Sequence, residues 1–420
     1  MAAIPPSTSG DFLTLCRKSG LFETGQLDAF LTRTPVPPEP TSTARLLVQA
    51  GLLTNFQAKN LLFGKYRGLR LGQLTLLSQI GQGGMGAVFL CQHSGLNRHV
   101  AVKFLPEDKA ADPDLLQRFL REARTAAALD HPNIVRAHNF NTSGGIHYLV
   151  MEYIDGTDLE KMVRVQGALD HTLAADYIRQ AAAGLQHAHE RGLVHRDIKP
   201  ANLLVDKAGV VKILDFGLAR SIEDAGDRLT EKHNLGAILG TADFMAPEQI
   251  AGADVDIRAD IYALGVTFYT LLTGRPPFSG TTSQKFAAHQ QFRAPPLFQV
   301  QPNVPADIAA VVERMMAKSP ADRYPTPSDV IDAITACDSD ISTGAVETTE
   351  PIDIHRPAIP AHRKLWLGGS VAIVVLCGLT AWALMPRSKA ASGPVPASNN
   401  TVQVQPSADR SPSPTQTPSR

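Results

Sequence analysis

A glycine-rich loop between two apolar strand patterns constrains the fold of this chain more than any other feature. Gly81, Gly83 and Gly86 form the pattern G-x-G-x-x-G, in which backbone amides can approach phosphate oxygens without a Cβ in the way. Dinucleotide-binding folds use the same pattern but continue directly into a helix. Here the apolar residues 87–91 continue as a second strand after the first, 74–80. The sequence therefore predicts a β-hairpin that covers a nucleotide.

Length and charge narrow the classes of function. A chain of 420 residues is too long for one ordinary domain and predicts two or three. The formal net charge is zero, so nothing indicates a nucleic-acid partner. The four cysteines are scattered without paired spacing, which argues against a disulfide framework or a thiolate metal site. The first ten residues have neither the basic nor the apolar region of a signal peptide.

A lysine inside an apolar strand is the next informative feature. Lys103 follows Ala101-Val102 and precedes Phe104-Leu105. A lone lysine in a strand usually faces solvent, but apolar neighbours on both sides indicate a side chain that points into a cleft. A buried ammonium needs an anion nearby, and Glu122, in a helix predicted over 115–129, is the expected partner. A closed pair would aim Lys103 at the α- and β-phosphates.

The stretch HRDIKPAN at 195–202 is the most specific one in the sequence. Asp197 can accept the proton of a substrate hydroxyl or orient that hydroxyl for in-line attack. Lys199 can neutralise charge on the transferring phosphoryl group, and Asn202 can supply a neutral oxygen to Mg²⁺. We expect His195 to have a structural role through packing and hydrogen bonding.

A carboxylate follows the next apolar strand pattern, 210–214. Asp215 begins the tripeptide Asp-Phe-Gly and lies 13 residues after Asn202. A hard cation prefers oxygen ligands, so Asp215 and Asn202 are predicted to hold Mg²⁺ between them against the nucleotide phosphates.

These motifs, followed by Ala246-Pro247-Glu248, occur in the order of the protein kinase signature. The chain resembles the eukaryotic-like serine/threonine protein kinase family, in its membrane-anchored bacterial form, over residues 74–336. The resemblance implies an α+β, bilobal protein kinase fold with an N-lobe of antiparallel β-sheet plus one helix and a mainly helical C-lobe. It also implies ATP-dependent phosphorylation of serine or threonine hydroxyls on protein substrates, with ATP and Mg²⁺ as cofactors and Mn²⁺ as an alternative metal.

The resemblance assigns the nucleotide-contacting residues position by position. Met151 matches the gatekeeper, and the position of Lys199 indicates the serine/threonine type of catalytic loop. The remaining nucleotide-binding positions implied by the family are Ile80, Gly81, Gln82, Gly83, Gly84, Met85, Gly86, Val88, Ala101, Lys103, Glu152, Tyr153, Asp158 and Leu204.

The family also implies structural partners. Glu248 should pair with Arg323, and Asp260 should brace the backbone of the catalytic loop. Thr241 should contact Asp197 and the substrate backbone.

Regulation follows from the position of Arg196. This arginine directly precedes Asp197, which indicates that a phosphate in the activation segment could pair with it. Ser221 and Thr230 are the candidate acceptors, and autophosphorylation of Thr230 is the hypothesis we favour.

The segment before the kinase-like region, 1–66, is predicted to be helical and carries a faint internal repeat. Each unit is predicted to be a helix, a glycine stop and a second helix capped near Thr24 or Thr54. An ordinary helical appendage and a docking or regulatory module are both open interpretations. The repeated positions are Gly20-Leu21, Gln26 and Leu31, matched by Gly51-Leu52, Gln57 and Leu62.

The C-terminal part is predicted to enter a membrane once. Residues 337–362 form a polar linker, and the uncharged run 365–385 would span roughly 31 Å as a helix, at ~1.5 Å per residue. A buried core helix is the alternative. Because ATP is cytosolic, the kinase domain should face the cytoplasm and the disordered tail, 386–420, should lie outside. The cytoplasmic membrane is thus an expected partner, and Gly368, Gly369 and Gly378 could support a homodimer.

Three functions compete for this sequence: an active kinase, a pseudokinase that acts as a membrane scaffold, and an enzyme that phosphorylates a small molecule. A pseudokinase usually lacks one of the charged parts, whereas all of them are present in this chain. Ala246-Pro247-Glu248, Asp260 and Arg323 favour a protein substrate over a small molecule.

Overall fold

The computed structural model describes residues 4–82, 86–143, 145–216, 220–221 and 242–343. These residues all belong to the first of the chain's two units, 1–348. They form four short helices, an N-lobe built on an antiparallel sheet, and a C-lobe made mainly of helices, as the resemblance implies.

Helices and strands are numbered in chain order within the described residues. The helices are α1 (Ser9–Lys18), α2 (Gln26–Leu31), α3 (Pro40–Gln49), α4 (Asn55–Leu62), α5 (Glu107–Ala110), α6 (Pro113–Ala127), α7 (Leu159–Gln166), α8 (His171–His189), α9 (Pro247–Ala251), α10 (Arg258–Thr273), α11 (Thr282–Gln291), α12 (Leu297–Val300), α13 (Ala306–Met315) and α14 (Pro327–Thr343). The strands are β1 (Arg70–Leu71), β2 (Leu74–Gln82), β3 (Ala87–His93), β4 (Arg98–Leu105), β5 (Ala137–Ser143), β6 (Ile146–Glu152), β7 (Gly156–Asp158), β8 (Leu193–Val194), β9 (Leu203–Asp206), β10 (Val211–Ile213) and β11 (Arg220–Ser221).

The N-lobe sheet has the strand order β1-β2-β3-β4-β6-β5, and every neighbouring pair is antiparallel. Side chains alternate between its faces. On the inner face, Leu105 and Leu149 pack against Phe119 and Ala123 of α6. Alternation places Lys103 on that face, so the same packing that holds α6 brings this lysine towards the helix.

The predicted hairpin at the glycine loop is present. Strands β2 and β3 pair up to Gly81 opposite Val88 and Gln82 opposite Ala87. Gly86 follows the loop, and a Cβ there would lie 1.7 Å from the carbonyl oxygen of Phe104. A side chain at this position would therefore displace β4 from β3.

The C-lobe is organised around α10, which is buried along nearly its whole length and packs against α8 and α13. Strands β9, β10 and β7 form a small antiparallel sheet. Gly184 of α8 lets this helix approach β10, because a Cβ there would lie 2.8 Å from Cδ1 of Ile213. This close packing fixes the strands that carry Asn202 and Asp215 at their ends.

The four N-terminal helices have the predicted repeat. The chain after α1 and after α3 turns at a glycine with positive φ, at Gly20 and Gly51. Thr54 caps α4 as predicted, and the N-cap of α2, predicted near Thr24, is the adjacent residue Gly25. The helices share one apolar core formed by residues such as Phe12, Cys16, Leu27, Ala44, Leu47, Leu53 and Leu61.

The C-terminal predictions fall mostly outside the described residues. Helix α14 continues to Thr343, so the start of the predicted linker, 337–362, is helical. The predicted spanning run, 365–385, and the tail, 386–420, lie beyond the described residues. In the part of the chain that is described, no helix combines the length and apolar character needed to cross a membrane.

Candidate active site

Lys103 contacts two carboxylates, one in each lobe. Its Nζ lies 2.5 Å from Oε1 of Glu122 and 2.9 Å from Oδ1 of Asp215. Burial opposes the charge on the Lys103 ammonium, but Asp215 and Glu122 outweigh it and raise the pKa of Lys103. One cation thus faces two carboxylates on the inner side of the cleft, with the side chain of Glu122 almost fully buried.

The two carboxylates respond in opposite directions. Burial raises the pKa of Glu122 against the pull of the Lys103 ammonium. Burial would also raise the pKa of Asp215, but the Lys103 charge and hydrogen bond outweigh it and lower that pKa. Asp215 is also the more exposed of the two side chains, so it is the carboxylate that is open to a cation.

Asn202 and Asp215 are brought together by the backbone. The amide of Leu214 donates to the carbonyl oxygen of Asn202 at 2.8 Å. Asp215 then turns with a φ of 62°, a left-handed conformation that costs a non-glycine residue about 1–3 kcal/mol. The amide nitrogen of Asn202 donates to Asp197, which leaves its oxygen Oδ1 as a neutral ligand. The pair fits the oxygen preference of Mg²⁺.

Asp197 and Lys199 lie beside Asn202. The Nζ of Lys199 contacts both carboxylate oxygens of Asp197, at 3.0 and 2.8 Å. Nδ2 of Asn202 donates to the carbonyl oxygen of Asp197 at 2.7 Å and to its Oδ2 at 3.1 Å. The carboxylate of Asp197 is therefore held in a fixed orientation by a cation and an amide.

Asp260 braces the backbone of this loop. Its carboxylate accepts hydrogen bonds from the amides of His195 and Arg196, each at 2.8 Å. It also bonds Nε2 of His189 at 2.8 Å. Arg196 has a φ of 67°, so these bonds hold a strained residue directly before Asp197.

His195 is buried and has the structural role expected from the sequence. The amide of Asp197 donates to its Nδ1 at 3.2 Å. The ring therefore carries its proton on Nε2, which donates to the carbonyl oxygen of Leu214 at 2.9 Å. This ring ties the Asp197 loop to the segment that carries Asp215.

We expect Asp260→Asn to lower the free energy of unfolding by about 1–3 kcal/mol at pH 7, because at least one buried donor loses its acceptor. Burial works to raise the pKa of Asp260, but the bonds from His189 and the backbone outweigh it and lower that pKa. Folding thus favours the ionised form of Asp260. The contribution of this carboxylate to the free energy of unfolding is present above the unfolded pKa of about 3.9, and it is lost as the pH falls through the lower pKa of the folded state.

Urea unfolding of both proteins at pH 7 and near pH 3 measures this difference. The exposed ion-pair partner Asp28 provides the control variant Asp28→Asn, which should stay within about 0.5 kcal/mol of wild type. If the difference in free energy of unfolding between wild type and Asp260→Asn grew towards acid pH, Asp260 would not stabilise the fold in its ionised form.

The predicted nucleotide-contacting residues line neighbouring strands. Val88 lies opposite Lys103, and Ala101 lies opposite Met151, in the ladders of β3, β4 and β6. Because side chains two apart share a face, all four belong to the inner face of the sheet. Two further residues named from the same family pattern, Asp158 and Leu204, lie opposite each other in β7 and β9.

Two of the predicted residues have additional partners. The carboxylate of Asp158 accepts from the amide of Lys161 at 2.7 Å and pairs with its Nζ at 2.9 Å, which caps α7. Glu152 accepts from Nζ of Lys212 at 2.9 Å and from the amide of Arg136 at 2.8 Å. Its side chain thus joins the end of β6 to β10.

Five predicted positions lie outside the described residues: Gly83, Gly84, Met85, Thr230 and Thr241.

Glu248 and Arg323 form a bidentate pair in the C-lobe. The two guanidinium nitrogens donate to the two carboxylate oxygens at 2.6 and 2.8 Å. Arg323 also donates to three backbone carbonyls, and its side chain is fully buried.

Several contacts at the site were not foreseen from the sequence. His189 supports Asp260, and Lys212 supports Glu152. Asp243, two positions after Thr241 in the sequence, pairs with Lys285 of α11 at 2.6 Å. No motif contains His189, Lys212, Asp243 or Lys285, and the signal in the sequence was only a pairing of opposite charges far apart in the chain.

This geometry is that of a two-lobed phosphotransferase, with a buried lysine in the cleft, carboxylate and amide oxygens that could hold a divalent cation, and an oriented carboxylate. Residues 74–333 match the family of the protein kinase domain. Because these are 260 of the chain's 420 residues, the chain belongs to the protein kinase family, which confirms the resemblance.

Relatives place the domain in the bacterial serine/threonine group. It is similar to the serine/threonine-protein kinase PknB of Mycobacterium tuberculosis, with 40% identity over 257 residues, covering 60% of this chain and 40% of that protein. PrkC of Bacillus subtilis is 38% identical over 271 residues, covering 64% and 41%. The crystal structure of the M. tuberculosis PknI kinase domain matches with a TM-score of 0.51 and 32% identity, covering 65% of this chain and 98% of that one. The chain thus spans about two fifths of the length of PknB and PrkC.

Proposed function

We propose that this chain is an active serine/threonine protein kinase that transfers the γ-phosphate of ATP to hydroxyls on protein substrates. One observation carries the proposal. An unbroken series of contacts runs from Lys103 to Asp215, through the Leu214–Asn202 backbone bond, and on to Asp197 and Lys199. A pseudokinase scaffold would not need every member of this series to be present and connected.

Each residue has a role that follows from its contacts. Lys103, held by Glu122, would bind the α- and β-phosphates of ATP. Asp215 and Asn202 would hold Mg²⁺, which when bound neutralises phosphate charge. Asp197 would orient the substrate hydroxyl and accept its proton as the oxygen–phosphorus bond forms and the bond to ADP breaks. Lys199 would stabilise charge on the transferred group.

The test is a phosphotransfer assay with the full chain, radiolabelled ATP and Mg²⁺. A generic basic protein should be labelled on serine or threonine, as phosphoamino-acid analysis would show. Glucose and choline should remain unlabelled in parallel reactions. ATP binding without any transfer of phosphate would favour the pseudokinase scaffold. Labelling of glucose or choline alone would favour an enzyme that phosphorylates a small molecule.

Membrane anchoring through 365–385 is also part of the proposal, supported by the length of this uncharged run and its basic flanks. We expect the protein to stay in the membrane pellet after alkaline carbonate extraction, with the kinase domain degraded by protease only in inside-out vesicles. Release by carbonate would contradict the anchor, and protection of the kinase domain would contradict the orientation.

A further inference from the structure

Helix α4 is attached to strand β2 by two side-chain hydrogen bonds. Nε2 of Gln57 donates to the carbonyl oxygen of Leu76 at 2.7 Å, and Oγ1 of Thr54 donates to the carbonyl oxygen of Leu77 at 2.6 Å. Gln57 is only 4% exposed. The same two side chains close the capping box of α4, at 2.9 and 3.2 Å, so the position of each is fixed from both sides.

The two accepting carbonyls lie at an irregularity of β2. Leu76 pairs with Cys91 and Ser78 with Leu90, so Leu77 is an extra residue without a partner in β3. Such a bulge bends the strand and disrupts its ladder locally. Thr54 thus bonds a residue of β2 that has no partner in β3.

A second bulge follows on the same strand. Gln79 pairs with Phe89 and Gly81 with Val88, which leaves Ile80 as the extra residue. Ile80 is one of the positions that the family resemblance assigns to nucleotide binding. Helix α4 holds β2 at Leu76 and Leu77. The course of the strand from there onwards determines the direction in which Ile80 points.

Aromatic packing fixes the other strand of the hairpin to the same helix. The ring of Phe56 in α4 lies 5.6 Å from that of Phe89 in β3. Phe89 contacts Phe104 in β4 at 5.5 Å, and Phe104 contacts Tyr148 in β6 at 5.6 Å. Helix α4 therefore contacts both strands of the hairpin and continues a row of rings behind the strand that carries Lys103.

From these contacts we infer that Thr54 and Gln57 are positioning residues of the nucleotide site. The N-terminal helices, α1–α4, set the geometry of the β2–β3 hairpin and thereby the affinity for ATP. The inference rests on the proposed kinase function for its kinetic readout. A helical appendage that only adds apolar burial would not need two side-chain donors, one of them buried, on the strand that leads to Ile80.

The test compares Gln57→Glu with a matched variant in the other repeat unit, Gln26→Glu, in the full chain. Glutamate keeps the acceptor that caps α4 but removes the donor to Leu76. Oε1 of Gln26 likewise accepts a hydrogen bond from the amide three residues earlier, that of Glu23 at 3.0 Å, but Gln26 is exposed. We expect the KM for ATP to rise about three- to tenfold in Gln57→Glu, with kcat and the KM for the protein substrate near wild type, and no change in Gln26→Glu.

Hydrogen exchange supplies a readout that does not depend on catalysis. Amides of β2 should exchange faster in Gln57→Glu than in wild type, while those of α8 and α10 stay unchanged. Thr54→Val, which removes the second donor without adding a charge, should show the same pattern if Gln57→Glu fails to fold.

Equal ATP affinity and equal β2 exchange in wild type, Gln57→Glu and Thr54→Val would overturn the inference, as would a uniform loss of kcat without a change in KM for ATP. An inactive wild-type protein would instead refute the proposed function, and the exchange data would then decide the positioning role alone.

Discussion

Replacing Asp197 with asparagine is expected to lower kcat for protein phosphorylation by about 10²–10⁴-fold, the usual contribution of a positioned general base. Asp197 contacts Lys199 and Asn202, whereas Lys103 and Asp215 contact each other and are the residues proposed to bind the phosphates and the metal. The KM for ATP should therefore stay near the wild-type value. Steady-state kinetics with varied ATP, together with a direct measurement of ATP binding to both proteins, separates the two effects.

The matched control is Asp155→Asn, at an exposed carboxylate paired with Lys207 on the surface. Its kcat should stay within about twofold of wild type, because exposed ion pairs contribute little. If Asp197→Asn retained more than a tenth of wild-type kcat, Asp197 would not be the residue that accepts the substrate proton.

The same variant tests the hypothesis of autophosphorylation at Thr230. Wild type produced without other kinases should carry phosphate at Thr230, and Asp197→Asn produced in the same way should not. Phosphopeptide mapping of both proteins makes the comparison. Equal phosphate at this position in the two proteins would end the hypothesis.

The parts of the site that the sequence could predict are those in which the chemistry dictates a residue type at a fixed spacing. The pairing of Lys103 with Glu122 followed from an apolar strand, an amphipathic helix and the need of a buried ammonium for an anion. The hairpin at Gly81 followed from a second strand where a dinucleotide fold would place a helix. In the first case a local pattern and a buried charge indicate the same arrangement, and in the second the local pattern alone is sufficient.

The contacts that the sequence could not predict join segments that share no motif. His189 reaches Asp260 only because α8 and α10 pack side by side. Gln57 looks like an ordinary capping residue until α4 is placed against β2. Likewise, the sequence placed the start of α2 only near Thr24, and the structure shows that the N-cap is Gly25, which adopts a left-handed conformation.

The largest expected loss of stability follows from Arg323→Ala. This change removes the partner of Glu248, whose side chain is 8% exposed, and leaves a buried charge uncompensated. Breaking a buried ion pair in this way costs about 3–5 kcal/mol, and the three backbone carbonyls bonded by Arg323 also lose a donor. Urea unfolding should show a lower midpoint with little change in slope.

A pair elsewhere in the C-lobe provides the control. Arg293 and Glu313 lie 3.4 Å apart with side chains 90% and 73% exposed, so Arg293→Ala should change the free energy of unfolding by less than about 1 kcal/mol. The double variant of Arg323→Ala with Glu248→Gln should be more stable than Arg323→Ala alone, because glutamine removes the unpaired charge. A cost below about 1 kcal/mol for Arg323→Ala, or no recovery in the double variant, would show that the buried pair does not hold α9 to the C-lobe.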